Sequence, residues 1–238
     1  MSLEDVLDAA RERRKTLAVH GANPGDLPDR FESRNVDVVA GDDPPGGVDD
    51  PYVTVDEDGD FQAAVSLAAI RSYFDRQSAD ERVPSSAEHA LHELLDDSVF
   101  ASLSTRQLTK TAVEFEDRAY RTGRGTLHAG FQTWTAFREQ ADRYERMARE
   151  TDLDVEVYLE PGDGGQSVAD GVTVHETTHR DVGEYWFVVY DGGDTDQQCA
   201  LVAQQTGSDA FEGVWTYDPS LVETALSAVD DIANPQSA

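Results

Sequence analysis

The apolar positions of this chain fall into short runs whose period changes repeatedly, as when helices and strands are interleaved. Leu3, Val6, Leu7 and Ala10 recur at helical spacing behind Ser2 and Asp5, which read as a capping box, so a helix is expected over 2–14. Strands are expected at 16–20 and 36–39, with a short helical piece at 27–33 between them. A Gly/Pro/Asp-rich loop follows the second strand. Alternation resumes at 52–55 and 61–65 on either side of Asp58 and Gly59, a hairpin signal, and leads into a helix over 67–74.

A polar connector at 77–84 ends in Ser85 and Glu88, a second capping box for a helix to about Asp96. Ser104 can cap the next helix, in which Leu108, Ala112, Phe115 and Ala119 share a face until Gly123 and Gly125 break it. Thr126 then reads as the N-cap of a long helix reaching Glu150. Its apolar face would carry Phe131, Trp134, Phe137, Ala141, Tyr144 and Met147. Glu139–Arg143, Asp142–Arg146 and Glu145–Arg149 fall at i,i+4 with the acid first, the better order. Strands return at 155–159, 172–174, 186–190, 198–204 and 213–217, the third and fourth joined by the turn-rich segment 191–196. A closing helix over 221–232 stops at Asn234 and Pro235.

The expected fold class is α/β (mixed α+β), a mixed β-sheet with antiparallel hairpins flanked by helices. Each half gives helix, strand, strand, then a hairpin around an Asp/Gly turn, with a later helix, so the expectation is either two topologically similar halves, a duplicated α/β unit, or one mixed sheet extended by both. The expected organisation is one domain over 1–232, with an N-terminal half (1–77), a connector (78–103), a C-terminal half (104–232) and a tail (233–238).

Charge changes the picture. The 238 residues carry 48 acids against 19 Lys and Arg, a formal net charge of -29, and only Lys15 and Lys110 are lysines. Abundant Asp with so little Lys reads as adaptation to a salty cytoplasm, a trait of halophilic archaea. At about 1 M salt the Debye length is roughly 3 Å, which screens the self-repulsion. The same charge disfavours nucleic acid, whose nonspecific affinity comes from neutralising phosphates. The single Cys199, in an apolar strand-like run, excludes an intramolecular disulfide and reads as a buried, inert thiol. No signal peptide and no apolar run of membrane-spanning length is present, so a cytoplasmic location is expected.

Against this background the window from Arg118 to Arg138 contains no Asp or Glu. Arg118 and Arg121 can pair with Glu114 and Asp117, lacing one helix. Arg124 lies between two glycines ahead of Thr126, where a helix N-terminus would offer unpaired N–H groups to an anion. His128 and Gln132, one helical turn apart, would line the same cleft. Trp186 and Trp215, in strands, form either core or a stacking wall. The candidate ligand-binding set is therefore Arg118, Arg121, Arg124, Thr126, His128, Gln132, Trp186 and Trp215, with no catalytic and no metal-ligating residue.

Other motifs read as structure. His175-Glu-Thr-Thr-His179 matches H-E-x-x-H, but that chemistry needs a helix to bring both histidines to one face, and here a strand-like run leads into a loop. His89 and His92 are read as an exposed helix face. Asp191, Asp194 and Asp196 lack EF-hand spacing, with Val202 where that loop needs Glu.

The run from Glu114 to Gln132, with Phe137, Gln140 and Tyr144, and the later segments 186–193, 199–205 and 213–219, resembles the DICT sensory domain. The resemblance extends from about Leu3 to the closing helix and is strongest after Ser104. It implies a sensory or regulatory input domain, named from its occurrence in diguanylate cyclases and two-component systems. The cofactor is unknown. With no room for an output domain, the chain is expected to signal to a separate kinase, cyclase or transcription regulator after binding a small, anionic ligand. Two rivals stand beside this reading: a protein-interaction module without a ligand, and a hydrolase or phosphoryl-handling enzyme using His128 or a zinc at His175 and His179.

Overall fold

The computed structural model describes residues 1–13, 15–31, 36–42, 50–57, 59–76, 98–162, 170–193, 197–208 and 210–234. Connector residues 77–97, with the Ser85/Glu88 capping box, His89 and His92, and also Asp58, Asp194, Asp196 and Pro235, lie outside the described residues.

The helices are α1 (Leu3–Glu12), α2 (Leu27–Phe31), α3 (Leu67–Arg76), α4 (Thr105–Thr122), α5 (Trp134–Arg138), α6 (Ala141–Glu150), α7 (Arg180–Glu184) and α8 (Pro219–Ala233). The strands are β1 (Lys15–His20), β2 (Val36–Ala40), β3 (Tyr52–Glu57), β4 (Asp60–Ser66), β5 (Ser98–Leu103), β6 (Arg124–Gly130), β7 (Asp152–Leu159), β8 (Val172–Glu176), β9 (Tyr185–Asp191), β10 (Cys199–Gly207) and β11 (Ala210–Thr216). The chain divides into two compact units, residues 10–101 and residues 1–9 with 102–238. Both sheets are mixed and flanked by helices, the expected class.

In the smaller unit the order is β2-β1-β3-β4. Leu17, Val19, Val53 and Val55 share one face of that sheet, and Leu27 and Phe31 of α2 and Leu67 and Ile70 of α3 cluster with them in a hydrophobic core. The β3–β4 hairpin forms where alternation flanks Gly59, whose φ of +86° fits the turn. At the start of the chain Ser2 N–H donates to Asp5 (2.7 Å) and Asp5 N–H to Ser2 Oγ (3.3 Å), the capping box expected there.

The larger unit is built on a sheet in the order β5-β11-β10-β9-β6-β7-β8. Its middle repeats the smaller sheet. β6 is parallel to β7 and antiparallel to β9, which pairs antiparallel with β10, as β1 relates to β2 and β3 and β3 to β4. The registers also agree. Thr16 lies between Asp37 and Asp56, and Thr126 between Asp154 and Asp191. Leu17 lies between Val38 and Val55, and Leu127 between Val155 and Tyr190.

One expected element is overturned. Residues 124–130 form β6, not the start of a helix over 126–150; helix begins only at Trp134 and is interrupted before Ala141. Pairing on both edges decides the conformation of this short stretch, a tertiary gain that outweighs local propensity. The glycines fit a strand. Gly125 has a φ of +88°, and a Cβ there would meet Asp191 O at 2.2 Å. β5 has no counterpart in the sequence reading.

The i,i+4 ladder is redrawn too. Glu145–Arg149 pairs at 3.3 Å. Arg143, however, turns to Glu116 and Asp117 instead of Glu139, Arg121 meets Glu114, and Arg118 donates to Gln197 O (3.1 Å) while lying 4.9 Å from the Tyr217 ring centre.

Gly125→Ala meets both an unfavourable φ and a backbone clash, whereas Gly59→Ala meets only the φ, with nothing within 4 Å. Thermal melts are expected to show Gly125→Ala destabilised by more than about 1 kcal/mol and Gly59→Ala by less.

Candidate functional site

The site geometry follows from β6. Successive side chains on a strand point to opposite faces. Leu127 and Ala129 therefore face one side, continued by Phe131, whose N–H still pairs with Tyr158 O (2.8 Å), and His128 faces the other.

On the Leu127 side the carboxyl end of β6 opens into a cavity of about 600 Å³. Thr105, Thr109 and Val113 come from α4, Gly130, Phe131 and Gln132 from the end of β6, and Ala136, Glu139, Gln140 and Arg143 from the α5–α6 segment. Trp186 and Phe211, at the starts of β9 and β11, complete it and meet edge-to-face at 6.1 Å. β6 is also where the parallel run β6-β7-β8 gives way to antiparallel β9. Crevices outside the carboxyl ends of strands at such reversals are the usual ligand sites of open α/β sheets.

Arg143 is fixed behind this cavity. Its Nε lies 2.5 Å from Glu116 Oε2, and its Nη2 donates to Asp117 (2.9 Å) and to Val113 O (3.2 Å). Among the described residues no partner holds Nη1. Glu116 is 1% exposed, and its other oxygen, Oε1, accepts a hydrogen bond from Tyr144 OH at 2.6 Å. Burial pushes the Glu116 carboxyl above its ordinary range, while Tyr144 and Arg143 pull it down. The network ties α4 to α6 beside the cavity.

On the opposite face lies a polar cluster drawn from three adjacent strands. Tyr158 OH donates to Glu156 (2.7 Å), and His128 Nδ1 lies 3.1 Å from that hydroxyl and 3.5 Å from Glu156. His175 Nε2 is 3.3 Å from the same carboxylate oxygen, and its ring stacks on Tyr158 at 4.7 Å. Burial lowers the His128 pKa below the ordinary histidine value; the charges of Glu156, Asp230 and Asp191 act the other way, and His175 adds to the lowering.

The expected site residues are thus dispersed. Gln132 and Trp186 line the cavity. His128 belongs to the cluster on the other face. Thr126 and the exposed Arg124 lie towards the amino end of β6, and Arg118 and Arg121 are held on α4 as described above. Trp215 is half-buried in β11. No helix N-terminus stands at Thr126, so the anion site built on it does not form there. Sequence reasoning missed Arg143, Glu116, Tyr158 and Glu156, because nothing in linear spacing links residues that meet only through α4–α6 packing or strand register. His175 ends up in β8, while His179 caps the short α7 by accepting from Asp181 N–H (3.3 Å), so H-E-x-x-H straddles a strand and a turn. Among the described residues no metal-binding group of three or more His, Cys, Asp or Glu forms. Cys199 is fully buried, and burial pushes its thiol up to about 12.

Residues 85–206, just over half of the chain, match the family described as a sensory domain in diguanylate cyclases and two-component systems, abbreviated DICT. The protein belongs to this family and is a sensory input domain. All of the cavity except Phe211, and all of the opposite cluster, fall inside the matched span. No curated protein matches the chain. Among solved structures, the polyphosphate kinase from Porphyromonas gingivalis aligns with 96% of this chain and 47% of its own, at 10% identity and a TM-score of 0.39. Among the described residues no helix is long and apolar enough to cross a membrane.

Tyr144→Phe leaves a buried Glu116 oxygen without its donor and is expected to cost about 1–3 kcal/mol. Arg143→Met strands a buried carboxylate and should cost more, about 3–5 kcal/mol, with Glu116→Gln recovering part of the loss in the double variant. Thermal melts in one buffer check the cycle.

A second expectation concerns pH. Because folding lowers the His128 pKa, the unfolded chain binds more protons below about pH 6.5, so this group's contribution makes stability fall as pH falls through that range. His128→Gln should flatten the dependence there, read from melting temperatures between pH 7.5 and pH 4.5.

Proposed function

We propose that this sensory domain binds a small, anionic ligand with a flat apolar body in the cavity at the carboxyl end of β6, and passes its state to a separate signalling protein such as a kinase, cyclase or transcription regulator. One observation carries the reading: a single cavity joins three aromatic walls, Phe131, Trp186 and Phe211, to a polar corner. In that corner stand Arg143, with Nη1 uncommitted among the described residues, and the first turns of α4 at Thr105 and Thr109. The N-terminus of an 18-residue helix favours negative charge. Aromatic side chains supply most of the contact area in sites of this kind, and a few polar groups set orientation. Gln132 and Gln140 are placed to supply the latter. The family's occurrence in cyclases and two-component systems supports a signalling partner.

The test is a thermal-melt panel of aromatic carboxylates, nucleotides, cyclic dinucleotides and small organic anions in molar KCl. A ligand at 100 times its Kd adds about 2.7 kcal/mol, roughly 5–10 °C for a domain of this size. The shift is expected to vanish in Trp186→Leu and to shrink in Gln132→Ala. A flat panel would instead favour an interaction module without a small ligand.

A further inference from the structure

We infer that the His128–Tyr158–Glu156–His175 cluster is a proton-binding site that gives this sensory domain an input of its own, on the sheet face opposite the cavity.

Hydrogen-bond direction within the cluster shows why. Tyr158 has a single proton, and at 2.7 Å it is given to Glu156. At the 3.1 Å contact between His128 Nδ1 and the Tyr158 oxygen the imidazole must therefore be the donor. The hydrogen bonds thus run in order from His128 through Tyr158 to Glu156. The other imidazole is not settled in the same way. His175 Nε2 is a buried atom without a hydrogen bond among the described residues, yet it stands 3.3 Å from the Glu156 oxygen that Tyr158 already occupies. A neutral His175 either points a lone pair at that carboxylate or leaves its N–H badly aligned. A protonated one makes an ion pair. The stacked Tyr158 ring, at 4.7 Å and 10°, holds His175 in place for this exchange.

The groups facing His128 work together. Glu156 from β7, Asp191 from the end of β9 and Asp230 from α8 all favour an added proton, while His175 from β8 and burial oppose it. Burial is the largest of these and leaves the net direction downward, so His128 takes up its proton at lower pH than an ordinary histidine. It is also wired outward. His175 is followed in β8 by Glu176, whose Oε1 accepts from Trp134 Nε1 (2.7 Å) and from Gly162 N–H (3.3 Å). Trp134 opens α5, so movement of β8 reaches an indole whose emission can be followed.

The experiment uses the protein in molar KCl with Trp186→Phe and Trp215→Phe as background, so that Trp134 reports alone. Its emission is followed from pH 8 to pH 4.5, alongside NMR titration of the His128 and His175 ring protons in the unmodified protein. The expected result is a single emission step with its midpoint between about pH 5 and 7, matched by the ring-proton shifts of both histidines. The step should disappear in His175→Asn and move to lower pH in Glu156→Gln. It should be unchanged in His179→Asn. Ring protons of His128 and His175 that stay still above pH 5 would overturn the inference without any variant. So would a step that persists in His175→Asn and keeps its midpoint in Glu156→Gln. A stoichiometric metal in the isolated protein, whose chelation abolishes the step, would also overturn it by making the cluster a metal centre.

Discussion

Double pairing of β6 is the constraint on which the rest of the larger unit depends. Held parallel to β7 on one edge and antiparallel to β9 on the other, the strand has no freedom to slip. A shift of one residue would put His128 into the aromatic core and Leu127 among carboxylates. In the observed register Phe131 packs on Phe137 and Tyr144, each with ring centres 5.4 Å away, and this aromatic knot seats α5 and α6. α6 in turn brings Arg143 to Glu116. The cavity wall and the polar cluster are two consequences of the same register, seen from opposite faces.

Much of this was legible because it is local. Capping at Ser2, the hairpin at Gly59, the strand runs after residue 152 and the closing amphipathic helix all declare themselves within a few residues. The buried face of 131–147 was also visible, since Phe131, Phe137, Ala141, Tyr144 and Met147 are all buried. Its conformation was not. Thr126 after a glycine, followed by apolar and aromatic residues every three or four positions, satisfies a helix as well as it satisfies a strand followed by two short helices. Only the partners β7 and β9, dozens of residues later, decide the case. The candidate site suffered the same fate. Gln132 and Trp186 meet in the cavity, but the residues expected beside them on one helix are spread along and across β6.

The paired registers of the two sheets explain why the halves looked alike without sharing sequence. What recurs is a constraint on position, not an identity of residues. A strand opens with Thr between two Asp, follows with Leu between two apolar residues, and receives a parallel partner on one side and a hairpin on the other. The smaller unit uses the Leu17 face for its core, with α2 and α3. The larger unit uses the equivalent Leu127 face for α4, α6 and the cavity. The same frame thus supports a closed core in one case and a ligand-sized space in the other.

That frame also bears on the absence of acids at positions 126 and 128 in so acidic a protein. Like charges directly opposite one another across a sheet are destabilising. A carboxylate at 126 would face Asp154 and Asp191, and one at 128 would face Glu156. The flanking arginines are likewise answered by groups outside the window, Arg121 by Glu114 and Arg118 by Gln197 O. The cationic look of the segment therefore does not by itself mark an anion site. Whatever attraction the cavity has for an anion must come from Arg143 and the α4 N-terminus, which the window does not contain.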